Sequence, residues 1–442
     1  MRYGTLMGLL ASSVLWGQQS FYPIRFTEFT LANGLHVIVQ RDTSAPVVAT
    51  VLHYKVGSHN EERQRTGFAH FFEHLMFEGT EHIPRASIDK YIQEAGGSLN
   101  AFTSFDATVY HFSLPAHQLP LALWIESERM RRLRIDSIGV ETQRGVVKEE
   151  RKMRYENSPY GDWMERMFRR LFAGSPYEWT PIGSSQHIDS ARIEEFIQFY
   201  NTYYQPNNAV LAIVGDVEPE RVQQLVQGYF GEYPRAADPP PVRFELSPLR
   251  GEQRDTVYDP KAPQPAVFIG WRGPKAGDPD AYAMEMLLDI VAQGESSRFY
   301  RRLVDEEQVA AQASAFLFDL RHAGAILAIG VAAPDKPIER VERELLQVIE
   351  RIKREGVTEA EFQKARNMRE ARFVMGKKAA LEKALALASY WALFGDANLI
   401  NTELQRYLRV TRQDLQRVAQ TYFTDDRVVL TYFPARVRSQ SD

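Results

Sequence analysis

A proline-rich stretch divides this chain between two flanks that read as degenerate copies of one unit. Pro234, Pro239, Pro240, Pro241 and Pro248 sit among charged residues between positions 233 and 256. Proline fixes φ and removes a backbone donor, so this stretch reads as an extended linker. Each flank opens with an apolar strand leading into a Gly turn, at residues 46–54 and 265–271. Each closes with a helix, an aromatic pair and a strand: 193–204 then 209–214, and 412–423 then 428–433. Amphipathic helices lie between these markers, at 119–133 and 338–353. A chain of 442 residues is long enough for more than one core. The expected fold class is α+β, with two homologous halves at 20–232 and 257–442, each a sheet covered by helices.

The pentapeptide His70-Phe71-Phe72-Glu73-His74 carries the chemistry. Positions i and i+4 share one face of an α-helix, so His70 and His74 can reach one metal ion, most often zinc. Glu73 falls on the neighbouring edge, where it could touch a metal-bound water. The order H-x-x-E-H is the inverzincin signature. A solvated helix edge would also accommodate His and Glu, but Phe68, Ala69, Phe71, Phe72, Leu75, Met76 and Phe77 surround them. A helix apolar on nearly every side is buried, and buried polar groups need partners. A metal supplies one. A catalytic zinc site takes a third protein ligand, and the best candidates lie in the helical-looking segment 143–151, with Val146, Val147 and Met153 as core contacts. Glu149 and Glu150 there point about 100° apart, and helix geometry does not choose between them.

A family resemblance adds to this reading. Gly67 to Thr80 is similar to the G-x-x-H-x-x-E-H-x-x-F-x-G-T motif of the pitrilysin/insulinase family of zinc metallopeptidases. Gly96-Gly97-Ser98-Leu99-Asn100-Ala101-Phe102-Thr103 resembles the family's G-G-x-x-N-A-x-T strand, and Tyr204 to Asp216 its Y-x-P-x-N-x…G-D segment. The resemblance implies a zinc-binding Glu about 76 residues after the second His, which selects Glu150. It implies zinc on His70, His74 and Glu150, with Glu73 as the base. It also implies an edge strand, Asn100, Ala101, Phe102 and Thr103, that takes a peptide substrate as an added strand. Without it, that segment reads as an ordinary core strand with Phe102 buried. The implied architecture is two homologous halves facing across a cavity.

Two departures from the family pattern stand out. Gln143 replaces a Glu commonly found seven residues before the zinc-binding Glu. The second half lacks the Arg and Tyr that active single-chain members use to bind substrate and stabilise the oxyanion, since those positions hold Val304 and Ala311. The pattern implies the metal-bearing subunit of a heterodimer, whose paralogous partner lacks zinc ligands but supplies Arg and Tyr. Tyr300, Arg301 or Arg302 could substitute within the chain by a register shift.

Residues 1–19 read as a secretory signal peptide, with Arg2 as a thin n-region and Leu6 to Trp16 as an apolar h-region too short to span a bilayer comfortably. The expected location is the periplasm or exterior. Cysteine is absent, so there is no disulfide framework and no lipid-modified Cys. A net charge of −4 with mixed signs gives no electrostatic case for nucleic acid. Three function classes follow: a zinc endopeptidase subunit, favoured; a non-catalytic assembly or binding subunit of the same fold; and a metal-dependent hydrolase of another substrate class. A purely structural zinc site is disfavoured, because closed sites usually have four ligands rich in Cys.

Overall fold

The computed structural model describes residues 23–435, and the expected signal peptide lies outside them. The first sheet comprises β1 (Thr27–Thr30), β2 (His36–Arg41), β3 (Val47–Tyr54), β4 (Ser98–Thr103), β5 (Thr108–Pro115) and β6 (Ala209–Gly215). Its order is β1-β2-β6-β3-β5-β4. The second comprises β7 (Gln253–Asp259), β8 (Ala266–Gly273), β9 (Ala310–Asp319), β10 (Gly324–Ala332) and β11 (Val428–Pro434), in the order β7-β11-β8-β10-β9. In each sheet the last strand in sequence slots in parallel beside the first of five shared strands, β6 on β2 and β11 on β7. It pairs antiparallel on its other side, β6 with β3 and β11 with β8. The fold is therefore α+β, with one topology used twice. Residues 231–252 form no helix or strand, and positions 253–256 of the expected linker already belong to β7.

The sequence explains why the central strands sit where they do. β6 reads Ala-Val-Leu-Ala-Ile-Val-Gly and is buried along its whole length. Such a continuous apolar run suits a strand covered on both faces. β-branched residues in β3 favour the extended backbone. Its side chains alternate: Val48 and Leu52 join the core beneath the helices of the first half, while Ala49 and Val51 face the other way.

That other face is covered by the second half. Helix Ala380–Phe394 lays Ala384, Leu387, Ala388 and Ala392 against Ala49, Val51, Val109, Val210, Ala212 and Val214. The exchange is mutual. Helix Trp163–Leu171 of the first half places Met167, Phe168 and Leu171 on Phe268, Leu327, Leu430 and Tyr432 of the second sheet. Gly270 permits this approach, since a Cβ there would stand 2.3 Å from Met167 Sδ.

His53 lies on the covered face of β3. Its ring is enclosed, and neither nitrogen has a hydrogen-bond partner among the described residues. Burial, then the positive charges of Arg321 and Lys55, push its pKa down to about 3. A His whose folded pKa lies below its unfolded value stabilises the fold fully above the unfolded pKa. That stability is lost as pH falls from about 6.5 towards the folded pKa. The chain is expected to lose about 2 kcal/mol between pH 7 and pH 5 from this residue alone. His53→Leu should flatten that loss in thermal unfolding measured across the same range.

Candidate metal centre

Helix Phe68–Leu75 starts at Gly67, whose φ of +96° is left-handed and suits Gly. No cap side chain is available at a glycine. Glu61 replaces it from upstream, accepting from Gly67 N at 2.9 Å and Ala69 N at 2.8 Å. Burial pushes the Glu61 carboxyl up to about 8, opposed by the Ala69 and Gly67 N–H groups. At the other side, Tyr110 Oη on β5 donates to Phe72 O at 2.9 Å and fastens the helix to the sheet. The helix has little freedom to rotate, so the imidazoles of His70 and His74 are aimed by the fold.

Helix Ser137–Arg151 packs against it and brings Glu150 to both rings. Glu150 Oε2 lies 3.4 Å from His70 Nε2 and 3.0 Å from His74 Nε2. Oε2 is buried and forms no aligned hydrogen bond to either ring. The three atoms converge without satisfying one another. Ligands bound to zinc at about 2.0–2.1 Å in tetrahedral geometry sit roughly 3.3 Å from each other, so the spacing fits a shared ion. Among the described residues, this trio is the cluster of His and acidic side chains with ligand atoms close enough for a metal. Contact with His70 and His74 holds the Glu150 carboxyl well below the usual carboxylate range, so it is an anion. Its Oε1 forms an ion pair with Arg154 Nη1 at 2.9 Å. Glu149 points outward and pairs with Lys152 at 3.3 Å. The donor set is two imidazoles and one carboxylate, which leaves a coordination position open.

Glu73 is half-buried on the same helix, and its carboxylate has no hydrogen-bond or ion-pair partner among the described residues. β4 is the outer strand of its sheet, paired to β5 alone. Asn100 and Phe102 are exposed, Phe102 at 44%, while Ala101 and Thr103 are half-buried. Phe102 is thus not a core residue. Of the expected core contacts near Glu150, Val147 is buried but Val146 and Met153 are 44% and 65% exposed. At 100° per residue, Glu150 lies at the margin of the inward face centred on Val140 and Val147, Val146 falls on the outward side of it, and Met153 lies past the end of the helix.

The anchors around the trio went unread in the sequence. Gln143 Nε2 donates to Glu78 Oε1 at 2.6 Å. Glu78 also pairs with Arg85, which donates to both oxygens of Asp136 at 2.9 Å. Asp136 in turn caps helix Ser137–Arg151 by accepting from Gly139 N at 2.9 Å. Glu78 falls on a variable position of the G-x-x-H-x-x-E-H-x-x-F-x-G-T motif, and nothing local links it to Gln143, 65 positions away. In the second half, Val304 is half-buried and Ala311 exposed. Arg302 is held by Glu344 at 2.9 Å, and Arg301 makes no side-chain ion pair among the described residues. Gln143→Glu would set two carboxylates against each other at Glu78. The metal-free variant should lose on the order of 1–3 kcal/mol near pH 8. Part of that loss should be recovered near pH 5, as one carboxyl protonates, in thermal unfolding at the two pH values.

Known proteins resemble this chain along most of its length. The model described as "Insulinase (Peptidase family M16)" matches residues 36–170, and that described as "Peptidase M16 inactive domain" matches 190–369. A zinc protease, PqqE, of Helicobacter pylori is 30% identical over 410 residues, covering 92% of each chain. The crystal structure of a protease from Helicobacter pylori superimposes with a TM-score of 0.89 at 29% identity, covering 93% of this chain and all of that one. The mitochondrial-processing peptidase subunit beta of Lentinula edodes is 26% identical over 284 residues, 62% of this chain and 59% of its own. With the H-x-x-E-H helix, the doubled topology and these likenesses together, the chain belongs to peptidase family M16, the insulinase family.

Proposed function

We propose that this chain is a zinc-dependent endopeptidase that hydrolyses peptides or unfolded polypeptide segments, acting as the metal-bearing subunit of a two-subunit enzyme. The observation that carries the reading is the convergence of His70 Nε2, His74 Nε2 and Glu150 Oε2 beside an unpaired Glu73. In this reading residues 20–232 form the metal-bearing unit and 257–442 its counterpart without ligands. The export leader at 1–19 would deliver the chain to the periplasm or exterior.

His70, His74 and Glu150 would hold the ion, two neutral donors and one anion. Zinc held there supplies Lewis acidity, lowering the pKa of water and polarising a carbonyl. Glu73 takes the proton of the attacking water and returns it to the leaving amine. Its freedom from other partners suits a group that must accept and release a proton. The outer edge of β4 offers backbone N–H and C=O groups at Asn100, Ala101, Phe102 and Thr103, so a peptide can add as a further strand. Backbone pairing of that kind tolerates many side chains and suits a broad peptide substrate. Val304 and Ala311 offer no side-chain hydrogen-bond donor to an oxyanion. A paralogous subunit that provides Arg and Tyr would complete the site, and the relative from Lentinula edodes is by name one subunit of a peptidase.

Three measurements test this reading. Glu73→Gln should keep one zinc per chain by metal analysis while peptide hydrolysis falls by at least about 100-fold. A variant that cleaves at the wild-type rate sinks the assignment of the base. His74→Ala should lose the metal. Zinc-loaded chain alone should hydrolyse a quenched-fluorescent peptide library weakly, and a co-purified paralogous chain should raise the rate. Full activity of the isolated chain would remove the need for a partner, and inactivity of the pair would favour an assembly role.

A further inference from the structure

The turn between β4 and β5 does not end at the surface. Phe105 is buried in the core cluster shared by the two halves, stacked on Phe168 with ring centroids 4.8 Å apart. Asp106, next in sequence, is 8% exposed. Its Oδ1 accepts from Tyr177 Oη at 2.7 Å, and its Oδ2 accepts from Arg321 N at 2.9 Å. Tyr177 Oη also accepts from His322 N at 3.3 Å. Arg321 and His322 lie in the turn between β9 and β10, which is the counterpart of the β4–β5 turn in the shared topology. One carboxylate thus joins equivalent turns of the two halves.

The same turn also reaches the metal-holding helix. Ser58 N donates to Ser104 O at 3.2 Å and His59 N to Phe105 O at 2.9 Å. Residues 58–60 form a helical turn that leads directly into Glu61, the side chain that caps helix Phe68–Leu75. His59 Nδ1 approaches Phe105 O at 2.6 Å and Asp106 Oδ1 at 3.4 Å. A continuous set of short contacts therefore runs from Arg321 through Asp106 and the β4–β5 turn to the cap of the helix that carries His70 and His74.

We propose that Asp106 is a positioning residue that clasps the β4 edge strand and the metal-holding helix to the second half. The peptide-receiving edge then keeps a fixed place relative to that half. The proposal deepens the peptidase reading and rests on it for its link to substrate. Removing the carboxylate leaves the Arg321 N–H and the Tyr177 hydroxyl buried without an acceptor, which favours local opening of both turns.

The test compares zinc-loaded full-length wild type with Asp106→Ala, Asp106→Asn and Tyr177→Phe by amide hydrogen exchange. Asp106→Ala is expected to speed exchange about tenfold across 100–104 and 320–323 while β3 stays protected. Asp106→Asn keeps an oxygen for the Arg321 N–H and should restore most of the protection. Tyr177→Phe removes one bond of the clasp and should move the same amides about threefold. If Asp106→Ala does not fold, Tyr177→Phe carries the comparison. Exchange unchanged at 100–104 in every folded variant overturns the proposal, as does an increase spread equally over β3. In peptide hydrolysis, Asp106→Ala should raise KM about tenfold with kcat within about twofold. If wild type cleaves no peptide in any preparation, the peptidase reading fails, and the exchange pattern still decides for or against the clasp.

Discussion

The structure depends on a reciprocal loan of helices. Each sheet is covered on one face by the helices of its own half and on the other by a helix from the opposite half. Neither sheet has a dry second face until both halves are in place. A buried Leu such as Leu387 contributes roughly 2 kcal/mol, and Phe168 about as much again. Those contributions exist only in the joined molecule. The two halves should therefore unfold together, in one cooperative transition, although the chain is long enough for separate domains.

That constraint reaches the candidate metal centre indirectly. The trio sits on two helices whose positions are set by contacts that touch no ligand. Glu61 caps one helix, Tyr110 ties it to β5, and the Glu78–Arg85–Asp136 set fixes the start of the other. Ligand convergence within a few tenths of an ångström needs such support, because side-chain rotamers alone leave more play. The carboxylate that completes the trio is anionic for the same reason the ion would fit: two imidazoles face it at short range.

Much of this was legible in the sequence, and what was missed shares a cause. The doubled topology could be read because β3 and β8, and β6 and β11, carry the same local patterns at corresponding places. The His pair could be read because a helix fixes i and i+4 geometry. Glu149 and Glu150 could not be separated from helix geometry, since the choice depends on which face meets helix Phe68–Leu75. The family spacing and the structure both put Glu150 inward. Val146 and Met153 misled for a related reason: an apolar residue says that burial is favourable, not that a partner is near. The exchange of helices stayed hidden because Ala380–Phe394 is apolar on several sides, and its partner strands lie far off in sequence. The Asp106 clasp likewise joins residues 215 positions apart.

The pairing of Gln143 with Glu78 links two positions that would otherwise count as independent. A carboxylate at 143 is compatible with a neutral or cationic neighbour at 78, and a carboxylate at 78 asks for a donor at 143. In this chain the negative charge behind the helix that carries Glu150 sits at Glu78, on the loop that follows the His pair, and the helix itself contributes an uncharged amide. The amide at 143 therefore lets one buried carboxylate, paired with Arg85, brace that helix without a second negative charge beside it.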